Sequence, residues 1–341
     1  MPSPVEAIRR TVQHNCHVAD ARHAGDDTLC IYLLKMREFF RWEEGLGYAD
    51  ELPRASLARW LTEREALWSR LEDAEFRPLE LDGALLDPFD DHAINARLAP
   101  LGLVYSAGYG HRGRPHFFLA RLERRDDHDG CTIFTAGCEL ARDLSAPPAM
   151  SRDGMVFLRR ESLRRYLWQR VEEWRWQKPD NPMGRAIACY DFDTDLEAAL
   201  DAMTDRELET VRLHELGEVE AGRLLGEGWR ELLARLPRSR TELLARAVRD
   251  LLADCLSTLP GLVERGHPAS IHFYMANLGG MRGELFPALR AAYEHWRDTG
   301  SLSRFAETAR RGRDHWLAVA RDMLRMDGGT SLEDLIDARR L

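Results

Sequence analysis

From residue 192 to the C-terminus, apolar residues recur at helical spacing almost without interruption. The pattern predicts helices over 192–203, 205–236, 240–258, 268–278, 281–298, 303–325 and 331–339, with a break near Gly226 and Gly228. The connections between them are short. Helices joined in this way must bury their apolar stripes against one another, so the C-terminal half is expected to be an up-and-down helical bundle.

The first 75 residues are also helical in pattern, with helices expected over 4–23, 27–44 and 56–75. The second, TLCIYLLKMREFFRWEE, is apolar on most sides and is expected to lie centrally. Between about 79 and 140 the period changes. LGLVYSAGYG, RPHFFLARLE and GCTIFTAGCE are β-type runs separated by turns at 110–114 and 126–130. They predict a small antiparallel meander, preceded by a short helix near 91–99. Ser145-Ala-Pro-Pro-Ala149 then reads as a linker, MVFLRR as one more strand, and 160–177 as a helix. The expected fold is therefore mainly α, a helical bundle with a β-meander in its N-terminal half. The expected domains are 1–148 and 151–341.

Composition narrows the function classes. Net charge is −9 and the pI is near 5.8, which disfavours nucleic acid and anionic membrane as partners. No apolar run approaches the ~20 residues of a membrane span, and MPSPVEAIRR lacks the apolar core of a secretion signal. A cytoplasmic protein that meets a small molecule or another protein is expected. The six cysteines form no CxxC, so reduced thiols are expected. The glycines of GYGHRGRP (108–115) do not form a phosphate loop, and no nucleotide cofactor is indicated. Helix 160–177 mixes arginines with aromatics, but Glu172 and Glu173 among them point to a solvated amphipathic helix.

The strongest chemical hint lies in 203–236. Offsets of 0, 7 and 11 place Glu207, His214 and Glu218 on one helix face, continuous with Leu225, Trp229, Leu232 and Leu236. Buried ionisable groups need partners or a metal. HELGE at 214–218 differs from the zinc-protease HExxH, because Glu218 stands where the second histidine belongs. Carboxylates suit a harder ion, so iron or manganese is the expected metal. Later helices add Glu284, His315 and Asp322. An alternative ligand set is His14, His17 and Asp20, within a stretch that also holds Cys16 and His23, together with Glu43 on the next helix. The expectation is a non-heme iron or manganese enzyme, an oxidase or oxygenase. The alternative is a non-enzymatic binding or scaffold protein whose His and Glu residues are structural.

Two resemblances accompany these residues. The order Glu207-x6-His214, then Glu284, then His315 with Asp322 resembles the heme-oxygenase-like di-iron oxidases over residues 190–326. It departs from them at Asp322, where that family uses a third histidine. The resemblance implies a metal centre inside a bundle. Separately, HNCHVADARHAGDDTLCIYLLKMREFFRWEEGLGY (14–48) resembles the opening of an uncharacterised bacterial family that carries only domain-of-unknown-function labels. That resemblance implies bacterial origin and places both halves of the chain in one family.

Overall fold

The computed structural model describes residues 4–110, 113–237, 239–326 and 331–341. Positions 111 and 112 of the expected glycine-rich turn lie outside the described residues. Contacts divide the chain into two units, and not by a single cut. Unit 1 holds 1–150, 157–168 and 195–198; unit 2 holds 151–156, 169–194 and 199–341.

Unit 1 begins with α1 (Pro4–His23), α2 (Leu29–Glu43) and α3 (Arg54–Leu71). A two-stranded hairpin, β1 (Leu79–Leu81) and β2 (Ala84–Leu86), and α4 (Asp91–Leu98) follow. The main sheet is built from β3 (Leu103–Tyr109), β4 (Pro115–His128), β5 (Cys131–Arg142), β6 (Ala149–Arg152) and β7 (Met155–Arg159), in the order β3-β4-β5-β7-β6. β3, β4 and β5 pair antiparallel, as expected from β-type runs separated by short turns. The sheet as a whole is mixed. The β4–β5 hairpin closes on Asp129 and Gly130, both at positive φ, as a two-residue turn of matching twist requires. One face of α1, carrying Ile8, Val12, Cys16 and Ala19, packs on Leu103, Tyr105, Phe117 and Leu119 of the sheet.

The expected central position of the second helix is corrected. Its C-terminal half buries Met36, Phe39 and Phe40, but Leu29, Ile31, Leu33 and Leu34 near its start are 45–70% exposed. An all-round apolar run does not itself decide which half of a helix meets the core.

Unit 2 is helical. After α5 (Arg160–Gln177), whose first half belongs to unit 1, come α6 (Pro182–Ile187), α7 (Leu196–Leu225), α8 (Glu227–Arg235) and α9 (Arg240–Ala253). A π-turn (Asp254–Thr258) runs straight into α10 (Leu259–Arg265). Then follow α11 (Pro268–Asn277), α12 (Gly280–Leu285), α13 (Pro287–Thr299), α14 (Ser303–Arg325) and α15 (Leu332–Asp337). The core gathers Trp229, Tyr293, Phe286, Phe305 and Trp316 with the apolar faces of α9 and α14.

Mainly helical content agrees with the sequence, while the helix boundaries differ in physically clear ways. No break occurs between 203 and 205, so α7 runs for 30 residues. It stops at Gly226, whose φ of 67° ends the helix. The expected helix 281–298 splits at Phe286-Pro287, where proline removes a donor and starts a new helix. The expected helix 240–258 changes to π geometry over its last turn. No helix is long and apolar enough to cross a membrane among the described residues.

Candidate functional site

The π-turn is where unit 2 concentrates its buried charge. Asp254, its first residue, is 1% exposed and accepts four hydrogen bonds. His214 Nδ1 donates from α7 at 3.0 Å, Thr258 Oγ1 from the same turn at 3.0 Å, Tyr274 OH from α11 at 2.9 Å and Arg282 Nη1 from α12 at 3.1 Å. Burial alone would favour the neutral acid, but these donors hold Asp254 below its ordinary pKa.

A π-turn adds a residue to the helical repeat and re-aims the side chains around it. Here it is tightly enclosed. A Cβ on Gly217 of α7 would lie 2.3 Å from the Ala253 carbonyl oxygen, and one on Gly312 of α14 would lie 2.5 Å from Cys255 Sγ. The glycine of HELGE is therefore a close-approach residue, and it brings His214 within reach of Asp254.

With Nδ1 committed to Asp254, the Nε2 of His214 has no partner among the described residues. The ring is about a third exposed and lines a surface cavity of about 290 Å³. Glu215 and Glu218 of α7 and Arg246, Arg249 and Asp250 of α9 complete the lining. Burial works against a charge on the ring. The hydrogen bond and charge of Asp254 outweigh it and raise His214 to about 10, so it is an imidazolium at neutral pH. Glu218 is ion-paired with Arg249 through Oε2, while its Oε1 has no partner among the described residues. Burial raises the pKa of Glu218 against the pull of Arg249, and burial raises Glu215 as well. Two of the three acids are thus pushed toward neutrality beside three cations, and the cavity favours an anion.

The expected metal ligands do not come together. Glu207 lies wholly buried and accepts from Thr210 Oγ1 at 2.8 Å and Ser270 Oγ at 2.9 Å. His214 and Glu218 are held by Asp254 and Arg249. Glu284 is exposed beside Gly283, Pro287 and Arg290. His315 Nε2 lies 2.7 Å from the Arg339 carbonyl, and Asp322 accepts from Arg339 at 3.2 Å.

The N-terminal set is dispersed too. Arg64 contacts both His17, at 2.8 Å, and Glu43, so a guanidinium occupies the place between them. Burial, with Arg64 beside it, lowers His17 to about 3. Asp20 accepts from Arg114 at 3.1 Å and from the Leu144 amide at 3.0 Å. His14 is half-buried, and burial lowers its pKa. Among the described residues, no three His, Cys, Asp or Glu side chains are arranged to hold a metal ion.

Sequence reasoning missed Asp254, Thr258, Tyr274 and Arg282. One signal was available. Asp254 sits in the apolar run LLADCL, where a charge has no solvated face to occupy.

Two family models cover almost the whole chain. The Family of unknown function (DUF6866) N-terminal domain matches residues 7–159, and the DUF6866 C-terminal domain matches residues 164–339. The chain belongs to the DUF6866 family. The expected membership in a family of unknown function is thereby met, and the π-turn site falls within the DUF6866 C-terminal domain. No curated protein and no solved structure matches the chain. The heme-oxygenase-like resemblance gains no support from these matches.

Proposed function

We propose that unit 2 is an enzyme that performs acid–base chemistry on a small anionic substrate in the cavity between α7 and α9. One observation carries this reading. A buried, ionised Asp254 holds His214 by Nδ1 and leaves Nε2 at a cavity that also contains Glu218. A carboxylate behind an imidazole fixes its tautomer and stabilises its charge, the arrangement used for general acid–base work. His214 is the proton donor, because Asp254 keeps it charged. Glu218 is the acceptor, because burial makes its carboxylate more basic. Arg246 and Arg249 attract and orient the anion.

The test is a screen of small carboxylates and phosphate esters for turnover, read by proton NMR. The reading predicts a compound whose turnover is lost in His214→Asn and Glu218→Gln while both variants retain the wild-type circular dichroism spectrum. Turnover that persists in His214→Asn counts against it.

A second reading is a non-enzymatic binding protein. It is favoured by the Glu218–Arg249 ion pair, which ties the proton acceptor to a cation. It predicts saturable binding without turnover. The iron or manganese oxidase reading has less support, since no three His, Cys, Asp or Glu side chains among the described residues are arranged to hold a metal ion. A cytoplasmic, bacterial setting belongs to the same proposal. It fits the six cysteines, which are all free thiols.

A further inference from the structure

A second cavity, of about 470 Å³, lies in unit 2 on another stretch of α7. Ala202, Asp205, Arg206, Glu209, Thr210 and Leu213 line it from α7, and Leu262 and Arg265 from α10. His267 and Ser270 line it from the start of α11. Behind this wall sits Glu207, with no exposed surface. Ser270 Oγ donates to its Oε1 at 2.9 Å and Thr210 Oγ1 to its Oε2 at 2.8 Å. Thr210 and Ser270 line the cavity and Glu207 does not, so Glu207 can act on the cavity only through them.

The carboxylate has a further property. No Arg or Lys lies within ion-pair distance of it among the described residues, although the charge of Arg206 and the hydroxyl of Tyr190 both pull its pKa down against burial. Its basicity is therefore not suppressed by a bonded guanidinium, and burial raises it to about 7. A carboxylate that is basic near neutral pH and bonded to a hydroxyl on a cavity wall is the pairing that activates an oxygen nucleophile. Leu213 and Leu262 offer an apolar surface for an acyl chain.

We propose that Ser270 is an acyl-accepting nucleophile with Glu207 as its general base, acting on small esters or thioesters that enter the cavity between α7, α10 and α11. In the first step, Ser270 Oγ bonds to the acyl carbon and its proton passes to Glu207. The C–O or C–S bond to the leaving group breaks, and that group takes the proton from Glu207. In the second step, water attacks the acyl-serine and gives a proton to Glu207. Ser270 leaves with that proton, so ester and water become acid and alcohol with no net change in the protein. The proposal uses a different cavity from the His214 site and does not depend on it.

The experiment is active-site labelling of the full chain with a fluorophosphonate probe, followed by intact mass and peptide mapping. One adduct on Ser270 is expected, absent from Ser270→Ala. The labelling rate should fall by roughly 100-fold or more in Glu207→Gln, with the pH dependence near 7 removed. Thr210→Val keeps Glu207 and Ser270, and should still label at Ser270. If Ser270 and Thr210 serve only to satisfy a buried acid, the folded wild type takes no adduct at Ser270. That result overturns the proposal, as does labelling of Glu207→Gln at the wild-type rate.

Discussion

At the scale of the residue, Asp254 decides most. Replacing it by Asn leaves His214 and Arg282 without their buried counter-charge. Breaking a buried pair in this way costs about 3–5 kcal/mol, readable as a lower denaturant midpoint. The pair also sets a pH dependence. His214 is raised in the folded state from an ordinary value of 6.5 to about 10, so its stabilisation is complete below pH 6.5 and fades as pH rises toward 10. Asp254→Asn should remove that decline. Glu207 behaves differently in a lower window. It faces Thr210, Ser270, Arg206 and Tyr190, and burial raises it from 4.5 to about 7. Its contribution is full below pH 4.5 and falls by on the order of 3 kcal/mol through pH 7. Glu207→Gln should remove that share of the decline in stability measured by urea melts over pH 4.5–7, leaving the shares of Asp20 and Glu218, which burial raises into the same window. Of these residues, Glu207 and His214 were legible, because a polar residue on an apolar helix face stands out at helical spacing. Their partners were not. Asp254, Ser270 and Tyr274 lie 40 or more residues downstream of His214, and no local pattern says which helix returns to meet which.

At the scale of the element, helices were legible wherever apolar spacing persisted, and the irregular turns were not. α1, α11 and α14 begin and end within a residue or so of expectation. The π-turn has no counterpart in spacing, since one extra residue in a helical repeat leaves the apolar stripe nearly unchanged over five positions. Its physical cause is visible only in packing, where α7 and α14 approach it through glycines. This gives a paired prediction on one helix. Gly217→Ala drives a methyl into the Ala253 carbonyl and should cost about 2–3 kcal/mol. Gly222→Ala, five residues on, meets nothing within 4 Å and should add up to about 1 kcal/mol through helix propensity. Thermal melts of the two variants should shift in opposite directions.

At the scale of the whole molecule, the stretch at 145–149 looked like a linker because it is short-chained and proline-rich. The structure shows what composition cannot. Unit 1 draws on residues that come after it. Glu139 is 3% exposed and accepts from Arg159 Nε at 2.7 Å and from Ser162 Oγ at 2.6 Å. A fragment ending at 150 therefore strands a buried carboxylate, and should show little cooperative unfolding by circular dichroism. A fragment ending at 168 restores both partners and should unfold cooperatively.

The account rests most heavily on His214 being a charged ring held by Asp254 at an open cavity. The most direct measurement is an NMR titration of histidine ring nitrogens in the 15N-labelled protein, with His214 assigned by its Gln variant. The account predicts a ring that stays doubly protonated at pH 8 and loses its proton near pH 10, and that moves back toward 6.5 in Asp254→Asn. A wild-type His214 that titrates near 6.5 would contradict it.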